Sequence, residues 1–149
     1  TILVATSNAL SQDVLAALER GTSMDAVASD LKKRLTTVFR PELVNRFTDV
    51  IVFRALSPDD IHAIARLHLK KLANQLRDEK GIAIAFAEDA VSAIAQLGYS
   101  PTFGARPLKN AISEHIRSRL AELILRKTIV AGSSVAVSFN GTEFVFSVR

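Results

Sequence analysis

The sequence predicts an α/β fragment followed by an α+β lobe, meeting near residue 54. Three observations carry this reading. The chain opens on a continuous β-branched and apolar run, Thr1-Ile2-Leu3-Val4-Ala5, bounded by Thr6-Ser7-Asn8, the composition of a strand buried on both faces of a parallel sheet. After Arg54-Ala55-Leu56 stands Ser57-Pro58-Asp59-Asp60, a strong helix start. The chain closes on two segments, Ser134 to Phe139 and Glu143 to Val148, flanking Asn140-Gly141, a hairpin signature.

The elements between follow in order. A helical stretch over about 11–20 stops at Gly21. A second helix spans about 23–39, because Met24, Val27, Leu31, Leu35 and Val38 recur at spacings of three and four and so share one face. Pro41 interrupts it, and a short helix over 41–46 leads into a strand at 49–53. The helix opened by Ser57 carries Ile61, Ile64, Leu67, Leu69, Leu72 and Leu76 and ends near Gly81. Residues 82–86 alternate large and small as a strand does. A helix from about 88 stops at Gly98, and the next, over about 106–127, bears Leu108, Ile112, Ile116, Leu120 and Leu123 on one stripe. Asn140-Gly141 suits a type I′ turn. The strand at the start needs neighbours on both sides, and 49–53 is the one other candidate nearby. The chain therefore reads as a piece of a longer protein, with these two strands expected to pair with another chain or leave an adhesive edge.

Bulk composition narrows the function classes. Of 149 residues, 48% are apolar and 23% charged, which suits a folded protein rather than a disordered one. The lack of cysteine excludes disulfides and thiolate metal sites and fits a reducing, intracellular setting; a cytoplasmic location is expected. No apolar run reaches the ~18 residues of a membrane span. The formal charge of +4 is spread among acids, as on solvated helix faces, so a nucleic-acid partner is not expected. His62, His68 and His115 lack metal-site spacing; His62 and His115 are read as surface positions and His68 as flanking the core. No Ser-His-Asp arrangement stands out.

Three segments carry candidate chemistry. In Gly98-Tyr99-Ser100-Pro101-Thr102-Phe103-Gly104-Ala105-Arg106-Pro107-Leu108-Lys109, Arg106 stands at the mouth of a helix behind two small residues, where outward N–H groups and a guanidinium favour an anion. Asn8 lies just past the carboxyl end of the first strand, the edge where open α/β sheets bind ligands. Its amide either contacts a phosphate oxygen or orients a water, or Thr-Ser-Asn merely caps the next helix or makes a turn. Phe39-Arg40-Pro41-Glu42-Leu43-Val44-Asn45-Arg46-Phe47-Thr48-Asp49 packs two arginines and two acids around a short helix. Arginine's charged fork suits phosphate; the bland alternative pairs Arg46 with Asp49 or Glu42.

Taken together, these segments resemble, in order, three motifs of the second nucleotide-binding domain of Clp-type AAA+ unfoldases, the ClpA/ClpB/ClpC group. The run ending at Asn8 is similar to the sensor 1 strand. Phe39 to Arg46 matches the Phe-Arg-Pro-Glu-(two residues)-Asn-Arg segment whose last arginine is the arginine finger. Gly98 to Lys109 matches the Gly-Ala-Arg-Pro-Leu-Lys segment, with sensor 2 at Arg106. The resemblance covers essentially the whole chain and implies the end of a large AAA+ subdomain over 1–54 and a small C-terminal subdomain over 55–149.

It further implies ATP as cofactor, with magnesium in the intact parent, bound between subunits of a self-associated ring, usually a hexamer. Asn8 and Arg46 take catalytic roles, and Arg106 contacts the phosphates. Ile61 lines an adenine pocket or serves the core. The substrate implied is unfolded or aggregated protein. Two departures matter: neither a Gly-x-x-x-x-Gly-Lys-Ser/Thr loop nor the acidic magnesium strand is present. These 149 residues are expected neither to hydrolyse ATP nor to bind it tightly by themselves. Residues 9–38 contain no Ile-Gly-Phe/Leu tripeptide of the kind that docks a peptidase, which favours a ClpB-like disaggregase, or a related secretion-associated remodeller, over the regulatory ATPase subunit of a Clp protease. A non-catalytic oligomerisation module and a DNA-motor relative are the rivals.

Overall fold

The computed structural model describes residues 2–100 and 103–149. Thr1, the first residue of the expected opening strand, and Pro101 and Thr102, within the Arg106 segment, lie outside the described residues. The chain divides into two compact units, Thr1–Ala55 and Leu56–Arg149.

The first unit is helical. Helix α1 (Ser11–Glu19) starts without a side-chain cap: Leu10 holds the capping position at φ 60°, and the Asn8 carbonyl accepts from Ser11 N at 3.2 Å. Gly21, at φ 80°, turns the chain into Ser23, whose hydroxyl accepts from Ala26 N to open α2 (Met24–Val38). Val27 is the buried residue of the α2 stripe. The stripe ends at Phe39 because Arg40, preceding Pro41, is held extended (ψ 134°), as the proline ring requires of its predecessor. Pro41 then opens the single turn α3 (Pro41–Val44).

The two expected strands of this unit do not form. Residues 2–8 and 49–53 carry no regular structure, and Ile2, Val4 and Phe53 are 93%, 83% and 82% exposed. A strand is stable only when its N–H and C=O groups find a ladder, and no described segment pairs with either run.

The second unit is an α+β lobe. Helix α4 (Pro58–Lys80) begins with a reciprocal capping box: Asp60 N donates to Ser57 Oγ at 3.2 Å and Ser57 N to Asp60 Oδ2 at 2.8 Å, which satisfies two orphan donors. It ends at Gly81, φ 67°. Its buried stripe is Ile61, Ala65, Leu69 and Leu72. Leu67, among the apolar residues of this helix, is 66% exposed, since two residues from Leu69 puts it on the far side of the helix. Strand β1 (Ala83–Phe86) follows, then α5 (Glu88–Leu97).

The expected helix over 106–127 is a rod in three parts: α6 (Leu108–Ile112), a π-helical turn (Ser113–Arg117) and α7 (Ser118–Leu125). Leu108, Ile112, Ile116 and Leu120 are all buried, although successive steps of four overshoot a turn of about 3.6 residues. The wider i→i+5 turn takes up the excess. Both the N–H and the hydroxyl of Ser118 donate to the Ser113 carbonyl across it.

Strands β2 (Ser134–Phe139) and β3 (Phe144–Val148) complete a sheet of order β1-β2-β3, parallel between β1 and β2 and antiparallel between β2 and β3. The hairpin turns one residue later than expected. Asn140 N donates to the Glu143 carbonyl at 3.2 Å, so Gly141 (φ 97°) and Thr142 are central. Thr142 is not among the positive-φ residues, which excludes type I′. The Asn140 side chain takes over the closure, Oδ1 accepting from Thr142 N and Glu143 N at 2.9 Å each. The helices and inner sheet face share one core, with Leu69, Ile94, Leu108, Ile116 and Val137 among its fully buried members. Each such side chain contributes roughly 1.5–3 kcal/mol by leaving water.

Candidate functional site

The loop that carries Arg106 is built from its ends inward. Gly98, the buried C-cap of α5, lies directly against Leu108, the first residue of α6: a Cβ built on Gly98 would stand 2.3 Å from Leu108 Cδ1 and 2.6 Å from Leu108 Cα. Between them Ser100 and Gly104 form an antiparallel bridge, with N–H to carbonyl distances of 3.0 and 2.7 Å. Gly104 sits at φ 60°, which a glycine adopts without steric cost. Arg106 N then donates to the Phe103 carbonyl at 3.2 Å and Leu108 N to the Ala105 carbonyl at 3.1 Å. The backbone of Arg106 is thus held on both sides, while its side chain is exposed and makes no hydrogen bond or ion pair with the described residues. Helix α6 opens two residues later, with Pro107 at its cap, so Arg106 precedes the helix mouth rather than forming its first turn.

Arg46 stands just past α3, its N–H donating to the Leu43 carbonyl at 3.1 Å. The local pairing weighed for it does not occur. Asp49 instead accepts from Lys32 Nζ at 3.1 Å and from Val50 N at 2.7 Å. The Lys32 hydrogen bond, the Val50 N–H and the lysine charge hold the Asp49 carboxyl below the usual range. Glu42 is exposed and likewise leaves Arg46 unpaired. The guanidinium of Arg46 therefore faces solvent.

Asn8 is exposed and contributes its backbone carbonyl, not its amide, to the start of α1; Ser7 Oγ takes the Ala9 N–H at 3.0 Å. Of the two local alternatives the cap is not realised, since no side chain caps α1, whereas a turn does follow at residues 9–10. Ile61 is 2% exposed and packed in the core of the lobe. Within the first unit no hydrogen bond joins Asn8 to Arg46. Within the second, Arg106 is exposed and Ile61 lies inside the core.

Two features escaped the sequence reading. His62, expected at the surface, is half-buried, its Nε2 3.0 Å from Glu88 Oε1 and 3.2 Å from Ser92 Oγ, with Arg66 NH2 2.6 Å from the same carboxylate oxygen. Acid and hydroxyl meet the same imidazole nitrogen, so this is a clamp between α4 and α5 and not a relay that activates Ser92. The second is an open cleft of about 1020 Å³ whose walls include Leu97, His115, Arg119, Phe144 and Phe146. His115, also read as surface, is half-buried there, its ring 5.7 Å from that of Phe144. The walls come from α5, the helical rod and β3, so no single sequence motif could mark the cleft. None of Asn8, Arg46, Ile61 or Arg106 lines it. Among the described residues no cluster of three His, Cys, Asp or Glu side chains is placed to hold a metal, and no helix is long and apolar enough to cross a membrane.

Comparison with known proteins shows the family of the chain. Residues 56–137 match the family model described as the C-terminal, D2-small domain of ClpB protein. The chaperone protein ClpB of Agrobacterium fabrum is 38% identical over 149 residues, covering 100% of this chain and 17% of that protein. Chaperone protein ClpB of Rhodopirellula baltica is 33% identical over 99% of the chain and 17% of its own length. The ATP-dependent Clp protease ATP-binding subunit ClpC of Staphylococcus saprophyticus is 34% identical over 99% of the chain and 19% of its length. The chain thus spans under a fifth of these relatives. With the α+β lobe falling on the matched residues, the chain belongs to the ClpB D2-small family, the C-terminal part of a Clp-type AAA+ protein.

Proposed function

We propose that this chain supplies three polar groups to the nucleotide sites of a ring-forming ATPase that remodels unfolded or aggregated protein. One observation supports the reading most directly: Arg46 and Arg106 are both exposed and unpaired among the described residues, although acids lie close to Arg46 in sequence. Side-chain carboxylates would neutralise an arginine with a purely structural role. A guanidinium without a partner in its own chain suits one in another molecule, and its fixed charge and planar fork match phosphate oxygens.

The residues present fit part of an ATP site. They provide two cations and an amide, and the phosphate cradle and magnesium carboxylates must come from elsewhere in the parent. ATP supplies the transferable phosphoryl group. Arg106, on a loop locked to the core of the small lobe, contacts phosphate oxygens in its own subunit and links the lobe's position to nucleotide state. Arg46 reaches the site of the adjacent subunit and offsets charge that grows during phosphoryl transfer, a contribution of ~10³–10⁵ in rate. Asn8 orients the attacking water through its amide. Ile61 acts through the core. The ClpB family match favours a disaggregase; the similarity to ClpC keeps a protease-regulating ATPase as the second reading.

The deciding experiment is Arg46→Ala in the full-length parent, with ATPase rate and ring assembly measured together. Loss of hydrolysis with intact rings supports the finger. Loss of the ring itself supports a non-catalytic oligomerisation module instead, and salt-sensitive DNA binding by the parent would revive the DNA motor.

A further inference from the structure

We propose that Gly98 is the positioning residue for Arg106, acting through its contact with Leu108. The inference rests on Arg106 being the phosphate-contacting arginine of the small lobe. Gly98 has φ −93°, a conformation open to any residue, so backbone freedom does not explain a glycine here. Space does. An added Cβ would meet Leu108 Cδ1 at 2.3 Å, Leu108 Cα at 2.6 Å and the Ile94 carbonyl oxygen at 3.0 Å. The leucine side chain could swing away from the first contact, but the second is backbone and the third belongs to the last full turn of α5.

Leu108 has nowhere to go. It is 0% exposed and sits in the core cluster with Ile94 and Ile112. The end of α5 and the start of α6 are therefore pinned to one another through a hydrogen atom. Arg106 lies two residues before Leu108, and its guanidinium makes no bond among the described residues, so its place follows this backbone. Restoring an ordinary carbon–carbon separation of about 3.5 Å would displace the Leu108 backbone, and Arg106 with it, by about 1 Å. A displacement of that size can cost about 10²-fold in rate when a reacting group is misplaced.

The test is a double-mutant cycle on ATP hydrolysis by the full-length parent. Gly98→Ala should lower kcat about 10- to 100-fold while rings still assemble. Combined with Arg106→Ala, it should lower kcat by less than about twofold beyond Arg106→Ala alone, because the group it positions is already gone. Multiplicative losses in the double variant would overturn the proposal and make Gly98 a general packing residue. If Arg106→Ala alone leaves kcat unchanged, the assignment of Arg106 fails instead. Gly81→Ala is the control: it strains a φ of 67° at the end of α4 without touching the loop. It should lower the melting temperature but not share the non-additivity with Arg106. Should Gly98→Ala fail to fold, Leu108→Val, which shortens the side chain that anchors the start of α6 in the core, takes its place in the same cycle: non-additivity with Arg106→Ala supports the proposal and multiplicative losses overturn it.

Discussion

Lys32 Nζ lies 3.1 Å from Asp49 Oδ1, and that ion pair takes from Arg46 the acid three residues beyond it. Residues 17 apart in sequence thus decide the electrostatic state of an arginine whose own neighbourhood suggested a local pair.

The same pair has a titration signature. Because Lys32 and the Val50 N–H favour the charged form, the Asp49 carboxyl titrates below the usual carboxylate range. Its contribution to stability is present above the ordinary carboxylate pKa and fades as pH falls through the depressed value. Lys32→Ala should move the Asp49 pKa back toward that ordinary range, which carboxyl-detected NMR titration would reveal. An unchanged titration would mean the pair does not persist in solution.

Arg46→Ala and Arg106→Ala should each leave the stability of the folded chain within about 0.5 kcal/mol, since neither side chain has a partner among the described residues. Urea denaturation measures this. A loss well above 1 kcal/mol in either variant would point to a structural contact and weaken the proposed roles.

Leu69 and Leu67 separate the two faces of α4. Leu69, 1% exposed, should cost about 2–5 kcal/mol when replaced by alanine. Leu67→Ala, on the solvent side, should stay within about 0.5 kcal/mol. Comparable losses at both positions by chemical denaturation would contradict the observed stripe.

Asn140→Ala removes the oxygen that accepts from Thr142 N and Glu143 N, and should cost about 1 kcal/mol. Amide hydrogen exchange should accelerate at those two residues specifically. Protection unchanged at both would show that the hairpin closes without the asparagine.

Much of the second lobe was legible because its signals are local. The Ser57 and Asp60 capping box, the Gly81 stop and the alternation along β2 each depend on residues within one or two turns. Where partners come from afar, reading failed in identifiable ways. On α4 the buried stripe takes Ala65 while Leu67 stands exposed, because a small residue hides a buried position. The helical rod hides its π turn, since spacing in sequence does not reveal a change of pitch. In the hairpin, the Asn140 side chain displaced the turn by one residue.

By itself, the sequence determined which chemistry is possible: two arginines and an asparagine in ordered motifs, no thiol, and a family membership that follows from those motifs. Tertiary structure alone decided how those groups stand. It sent Lys32 to Asp49 and left Arg46 uncompensated, drew His62 into a clamp with Glu88, and pressed Gly98 against Leu108 beneath the Arg106 loop. These outcomes depend on distances between residues far apart in the chain, and only close packing sets such distances.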